Sequence, residues 1–141
     1  MTPEAGRYLD RARQCLTRAR PILAAGVSED AGRTAYLAAF HSAQALIFER
    51  TGAVAKTHRA VRRQFAQLTR DQPRIDAELR RFLPDGYSLK SIADYEVGPD
   101  AVVPVEEAAR AIEIATRFVD RIAELIMAAD RPAGRSKEPE K

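Results

Sequence analysis

The chain is poor in the residues from which most metal and redox sites are built. It has one cysteine, two histidines and no tryptophan among 141 residues. Cys15 therefore cannot form an internal disulfide, and the chain has no paired cysteines at the spacing that holds zinc. Because Cys15 falls on an apolar stripe of helical period, we interpret it as a small core residue rather than a nucleophile. We expect neither a metal nor a cofactor.

Long apolar runs and phosphate-binding glycine loops are also missing. No window reaches the roughly 18 uninterrupted apolar residues of a membrane span, and Glu4, Arg7 and Asp10 stand where a signal peptide would be apolar. We expect a cytoplasmic protein that has no contact with a membrane. Conventional nucleotide hydrolysis is disfavoured because the chain has no glycine-rich phosphate loop and no serine–histidine hydrolase motif.

Positive charge is concentrated in the middle of the chain. The net charge is only +3, but residues 50–81 contain nine basic and three acidic side chains. Nineteen of the 23 basic residues are arginine, whose planar fork matches the oxygens of phosphate. This distribution favours an anionic ligand, RNA or a nucleotide. A GC-rich genome, which raises arginine over lysine, is the alternative explanation for the excess of arginine.

Every long segment has the period of a helix, and none alternates as a half-buried strand does. The predicted helices cover residues 3–25, from 28 or 30 to 50, 58–69, from 73 to a break at Pro84-Asp85-Gly86, 87–97, and from about 104 onward. The sequence therefore predicts an all-α bundle of three long helices and two or three short ones. We expect this domain to span residues 1–129 and to be followed by a disordered tail, 130–141.

The second predicted helix is the most informative one. Between Ala35 and Phe48 it is apolar on nearly all sides, which is typical of a helix surrounded by others. Ser28 is a suitable N-cap for it and Gly52 a suitable end. Thr57 then caps the arginine-rich third helix, so the turn Lys56-Thr57-His58 is expected at the mouth of the bundle, beside its most basic segment.

Three pieces of the chain, taken in order, resemble the HEPN domain, in particular its stand-alone prokaryotic members. They are Ala35-Tyr36-Leu37-Ala38-Ala39-Phe40-His41, Lys56-Thr57-His58-Arg59 and Ala93-Asp94-Tyr95. The similarity extends to about Ala129. It implies an up-and-down bundle that commonly forms a homodimer and is linked to RNA. Many HEPN proteins are metal-independent ribonuclease toxins paired with a nucleotidyltransferase-type antitoxin, and others only bind RNA, nucleotides or proteins.

The chain departs from the nuclease pattern of that family. The catalytic signature is an arginine followed, after four to six residues, by a histidine. Here seven residues separate Arg33 from His41, and seven separate Arg50 from His58, so the resemblance assigns no catalytic pair. Where relatives often carry an arginine before Ala-Asp-Tyr, this chain has Lys90, which keeps the charge without the bidentate fork.

His58 is the best candidate for contact with an anion, and it is also the best candidate for a base. It lies in the first turn of a helix, where free N–H groups attract anions, and Arg62 follows one turn later on the same face. Alternatively, His58 bonds a nearby carbonyl or Asp94 and only stiffens the turn. The candidate RNA- or nucleotide-binding residues are Lys56, Thr57, His58, Arg59, Arg62, Arg63 and Lys90, with Asp94 and Tyr95 as supports.

Other polar and aromatic residues of the central helix have simpler interpretations. His41 is expected in the core or at a dimer interface, and Tyr36 and Phe40 in the core. Asp94 and Tyr95 are expected to anchor the turn through a bond from Lys56 or His58.

Three functions are consistent with these residues. The first is a module that binds RNA or a nucleotide without cleaving it and works with a nucleotidyltransferase-type protein. The second is a metal-independent endoribonuclease with an atypical constellation around His58 and Arg62. The third is an oligomerising adaptor whose basic surface meets an acidic protein. The missing arginine–histidine spacing favours the first and the third.

Overall fold

The computed structural model describes residues 1–95, 98 and 102–129, and these residues form five helices and no strand. The helices are α1 (Pro3–Ala24), α2 (Ser28–Thr51), α3 (His58–Leu68), α4 (Ala77–Tyr95) and α5 (Val105–Ala129). The prediction of an all-α bundle is confirmed. The expected disordered tail lies outside the described residues, as does Val97, the predicted end of the helix 87–97.

α2 is the centre of the bundle. It contacts all four other helices, and its buried residues lie on every side, including Ala31, Tyr36, Phe40 and Ile47. This confirms the prediction drawn from its uniformly apolar sequence. Because apolar side chains of α1, α4 and α5 close around it, α2 fixes the position of every other element.

The ends of the first three helices follow local sequence signals, with one exception. Gly26 and Gly52 adopt positive φ angles of 89° and 75° just after α1 and α2, which non-glycine residues rarely do. Thr57 caps α3, since its Oγ1 accepts a hydrogen bond from the N–H of Ala60 at 3.0 Å. The prediction that Ser28 caps α2 is wrong. Its hydroxyl donates to the carbonyl of Val103 and ties the start of α2 to the segment before α5.

The predicted break at Pro84-Asp85-Gly86 is also wrong, because α4 continues through it. Pro84 lies on an exposed part of α4, and the only helical bond it removes is the one to the carbonyl of Arg80. α4 begins at Ala77 rather than near Pro73. Its first turn is capped by Asp76, whose Oδ1 accepts from the N–H of Leu79 at 2.9 Å. A single helix therefore carries residues that were expected on two.

Ion pairs fix α4 against α5. Arg117 bonds both Asp76 and Glu78, and Arg110 also bonds Glu78. These side chains are partly exposed, so each pair contributes little to stability by itself. Together they join the start of α4, and the residue before it, to one face of α5.

No helix among the described residues is long and apolar enough to cross a bilayer.

At Gly86, α4 packs close to Tyr36 of α2. A Cβ atom added there would lie 3.1 Å from Cδ1 of Tyr36 and 3.7 Å from the ring of Phe82. Tyr36 is fully buried and hydrogen-bonded, so it cannot move aside easily. Glycine at this position lets the two helices meet.

This close approach generates a prediction about two helical glycines. Gly6→Ala, where the new Cβ would lie 3.9 Å from its nearest neighbour, should raise the free energy of unfolding by about 0.5–1 kcal/mol through helix propensity. Gly86→Ala should lower it, because the contact with Tyr36 outweighs that gain. Urea unfolding of both variants measures the difference. Equal stabilisation by the two substitutions would contradict the close approach.

Candidate functional site

The imidazole of His58 lies in a cage of aromatic rings. Its centroid is 4.5 Å from that of Phe40, 4.9 Å from Tyr87 and 5.6 Å from Tyr36. Phe40 and Tyr36 come from α2, one turn apart, and Tyr87 comes from α4. The ring is half-buried, so one part of it is packed and another remains accessible.

One hydrogen bond fixes the orientation of this ring. Nδ1 of His58 lies 2.8 Å from the hydroxyl oxygen of Tyr36. The sequence-based alternatives for His58 were a backbone carbonyl or Asp94, and neither is its partner. Tyr36 and Phe40 are buried as predicted, but Tyr36 also contributes the polar contact that holds the site.

Tyr36 determines which nitrogen of His58 carries hydrogen. Among the described residues the phenol has a hydrogen bond only to Nδ1, and burial raises the pKa of Tyr36, so it keeps its proton. An unpaired buried donor costs about 1–3 kcal/mol. The hydroxyl therefore donates to Nδ1, and in the neutral ring the hydrogen is on Nε2.

Burial and nearby basic side chains both favour the neutral form of the imidazole. Burial, followed by the charges of Lys90 and Arg62, lowers the pKa of His58 from its ordinary value, and Asp94 opposes the shift. The guanidinium of Arg62 lies 5.6 Å from the centroid of Tyr87, within the range of a cation–π contact. His58 and Arg62 thus share Tyr87 as a common support.

Asp94 neutralises part of this positive charge. It accepts from Nε of Arg33 at 2.7 Å and from the ammonium of Lys90. These bonds, that of Lys90 first, lower the pKa of the carboxyl. The predicted bond of Asp94 with Lys56 or His58 is therefore wrong, because the uninterrupted α4 places Asp94 one turn after Lys90 and beside Arg33 of α2.

Tyr95 does not anchor the turn either. Its side chain is 69% exposed, and the ammonium of Lys90 lies 5.3 Å from its ring centroid. Lys56 and Arg59 are exposed at the start of α3. That Lys56 and Arg59 contact a ligand stays a prediction.

The first turn of α3 leaves two backbone donors free. Thr57 satisfies the N–H groups of Ala60 and Val61, while those of His58 and Arg59 have no hydrogen-bond partner in the described part of the chain. Free N–H groups at a helix N-terminus favour an anion. They lie next to the imidazole and on the same helix as Arg62.

His41 is separate from this arrangement. It is half-buried, and its Nδ1 lies 2.8 Å from Oε1 of Gln44. Arg33, two turns earlier, is bonded to Asp94 instead. The two side chains therefore do not form a pair within one chain. In the described ranges, no three His, Cys, Asp or Glu side chains are grouped so that they could hold a metal ion.

Sequence reasoning did not assign Arg33, Tyr36 or Tyr87 to the site. A signal for Tyr87 exists, because Tyr87, Lys90 and Asp94 fall on one face of a helix. All three also lie on the predicted helix 87–97, so the shared face could have been seen from the sequence. No comparable signal shows that the hydroxyl of a core tyrosine meets His58, since that contact depends on how α3 packs on α2.

Comparison with known families supports the resemblance seen in the sequence. The family model described as HEPN domain matches residues 5–125, which include most of all five helices. A search of curated proteins finds no match.

The histidines also predict how stability depends on pH. The pKa of His58 and of His41, lowered mainly by burial, lies below 6.5 in the folded chain, so the unfolded chain takes up protons first as the pH falls. The two neutral imidazoles therefore contribute stability that is fully present above pH 6.5 and is lost as the pH falls through their pKa values in the folded chain. Asp94, whose pKa is lowered from 3.8, stays ionised until the pH is much lower.

Thermal unfolding between about pH 7 and pH 5 measures this effect. The melting temperature should fall on acidification, and it should fall less in His58→Gln and in His41→Gln than in the unmodified chain. A pH dependence unchanged by His58→Gln would show that the folded state does not hold that imidazole neutral.

Proposed function

The chain belongs to the HEPN domain family, and from this premise we propose that it binds RNA or a nucleotide at the His58 site without cleaving it. This family is often linked to RNA binding or to ribonuclease activity. The candidate contacts are His58, Arg62, Lys90 and the free N–H groups at the start of α3. Binding by this set of donors suits a phosphate group.

The single observation that supports binding over cleavage is the hydrogen bond between Tyr36 and His58. It occupies Nδ1 and leaves hydrogen on Nε2, so the ring nitrogen without a partner among the described residues is a donor. A phosphate oxygen is an acceptor and fits this donor. A base that takes the proton of a 2′-hydroxyl needs an unprotonated nitrogen facing the substrate, which this arrangement does not provide.

The charges around the ring favour the same function. Arg62 has no ion-pair partner within the described ranges, so its fork is available to an anion. Lys90 is held by Asp94, which fixes its position and compensates part of its positive charge. The guanidinium of Arg62, a neutral N–H donor and two backbone N–H groups give a site that attracts phosphate without depending on base identity.

The ribonuclease alternative has less support. Metal-free cleavage needs a base and a cation placed together on the scissile phosphate. Arg33 and His41 are bonded to Asp94 and Gln44 respectively, and Arg50 is exposed at the end of α2. Neither arginine–histidine combination forms a pair within one chain.

The partners follow from the family rather than from contacts in this structure. We propose a homodimer that works with a nucleotidyltransferase-type protein, because HEPN proteins commonly act in such pairs. An oligomerising adaptor remains the third function to test. It would use the same basic surface for an acidic protein and would not bind RNA.

Labelled RNA incubated with the purified protein and a chelator separates these functions. We expect retention of the RNA without cleavage, and an affinity that falls steeply as salt increases. His58→Ala should weaken binding by about tenfold, the loss of one charge-assisted hydrogen bond. His58→Gln should retain most of the affinity, because an amide can accept from Tyr36 and donate to phosphate.

His41→Ala is the matched control, since it removes the one histidine that lies outside the site. If the unmodified protein cleaves the RNA in the presence of chelator and His58→Gln does not, the proposed binding function is wrong and the ribonuclease function is supported. If the protein binds neither RNA nor nucleotides and an acidic protein copurifies with it, the adaptor function is supported instead.

A further inference from the structure

A second basic concavity lies between α3 and α4, beside the His58 site. It has a volume of about 410 Å³. Its walls carry four guanidinium groups and its floor is apolar. The lining residues are Arg59, Arg62, Arg63, Phe65, Ala66, Arg80, Leu83 and Pro84, and we refer to this set as the α3/α4 groove.

The groove contains no acidic side chain. None of its four arginines forms an ion pair within the part of the chain that the structure describes. Arg80 is half-buried, and its Nη2 donates to the carbonyl of Gln72 at 3.0 Å. That bond holds one guanidinium in place while leaving its charge uncompensated. Four like charges around one concavity repel one another, so an anion in the groove would relieve this repulsion.

Arg62 connects the groove to the His58 site. It lines the groove and also lies on the ring of Tyr87, which in turn contacts the imidazole. From His58 to Ala66 the helix rises roughly 12 Å, at about 1.5 Å per residue. This length corresponds to about three nucleotides at roughly 3.4 Å of rise per stacked nucleotide.

We infer that the α3/α4 groove is a second phosphate subsite, which takes the phosphodiester next to the nucleotide bound at His58. The ligand of the whole surface is then a single strand of several nucleotides rather than a mononucleotide. This inference rests on the proposed function. It adds Arg80 and the floor of Ala66 and Pro84 to the binding surface, residues that had no role in it before.

The chemistry of the groove favours a nucleotide strand over an acidic protein segment. Guanidinium groups match phosphate bidentately and also lie flat on bases. The apolar floor beside them suits the face of a base. A carboxylate-rich peptide would satisfy the charges but would leave that floor without a planar group to cover it.

Two labelled probes test the inference, a single-stranded RNA of about ten nucleotides and AMP. Arg80→Ala and Arg63→Ala should each reduce affinity for the RNA by about tenfold and reduce the salt slope by ~0.7 for each phosphate that the variant no longer neutralises. The ratio of RNA affinity to AMP affinity should fall in both variants. Arg20→Ala, an exposed arginine of α1, is the charge-matched control and should change neither quantity.

The outcomes distinguish the groove from the His58 site. If the unmodified protein binds neither probe, the proposed function fails together with the inference. A different result would overturn the inference alone. The unmodified protein would bind RNA and His58→Ala would weaken that binding, but Arg63→Ala and Arg80→Ala would change affinity and salt slope no more than Arg20→Ala does. The groove would then not be a subsite. Competition by polyglutamate as effective as that by unlabelled RNA would assign the groove to an acidic protein and would also overturn the inference. Arg63 is exposed, so its variant remains informative even if Arg80→Ala unfolds the chain.

Discussion

A phenol placed in the interior of a protein needs a hydrogen-bond partner, and Tyr36 finds it in His58. This bond links the central helix α2 to the first residue of α3. It therefore fixes the position of the start of the arginine-rich helix relative to α2. Phe40 and Tyr87 pack on the same imidazole. Because Gly86 has no side chain, α4 can lie close to Tyr36, which brings the next residue, Tyr87, to the imidazole. The geometry of the site therefore depends on the interior of the bundle.

The same bond determines the chemistry that His58 can offer. Nδ1 is directed at the phenol, and burial together with Lys90 and Arg62 lowers the pKa of the imidazole. In the neutral ring the hydrogen is then on Nε2. Asp94 holds Lys90 and Arg33, whereas the guanidinium groups of α3 have no carboxylate partner among the described residues. Fixed donors beside free cations favour binding of a phosphate and do not provide a base.

The fold could be read from the sequence because it depends on periodicity and local caps. The apolar stretch from Ala35 to Phe48 placed α2 at the centre, and Thr57 marked the start of α3. The break expected at Pro84 was wrong because local signals do not include the contact of Gly86 with Tyr36, which needs a continuous α4. The bonds of His58 with Tyr36 and of Asp94 with Arg33 were missed for the same reason, since each joins two helices distant in sequence.

The tautomer of His58 is the most direct test of this account. Nitrogen-15 NMR of histidine-labelled protein near neutral pH (about pH 7) distinguishes a protonated from an unprotonated ring nitrogen, and Tyr36→Phe identifies the effect of the phenol. The account predicts hydrogen on Nε2 and an unprotonated Nδ1, with the preference weakened in Tyr36→Phe. A His58 ring protonated at Nδ1 and unprotonated at Nε2 would contradict it, because that ring would present a base to the ligand.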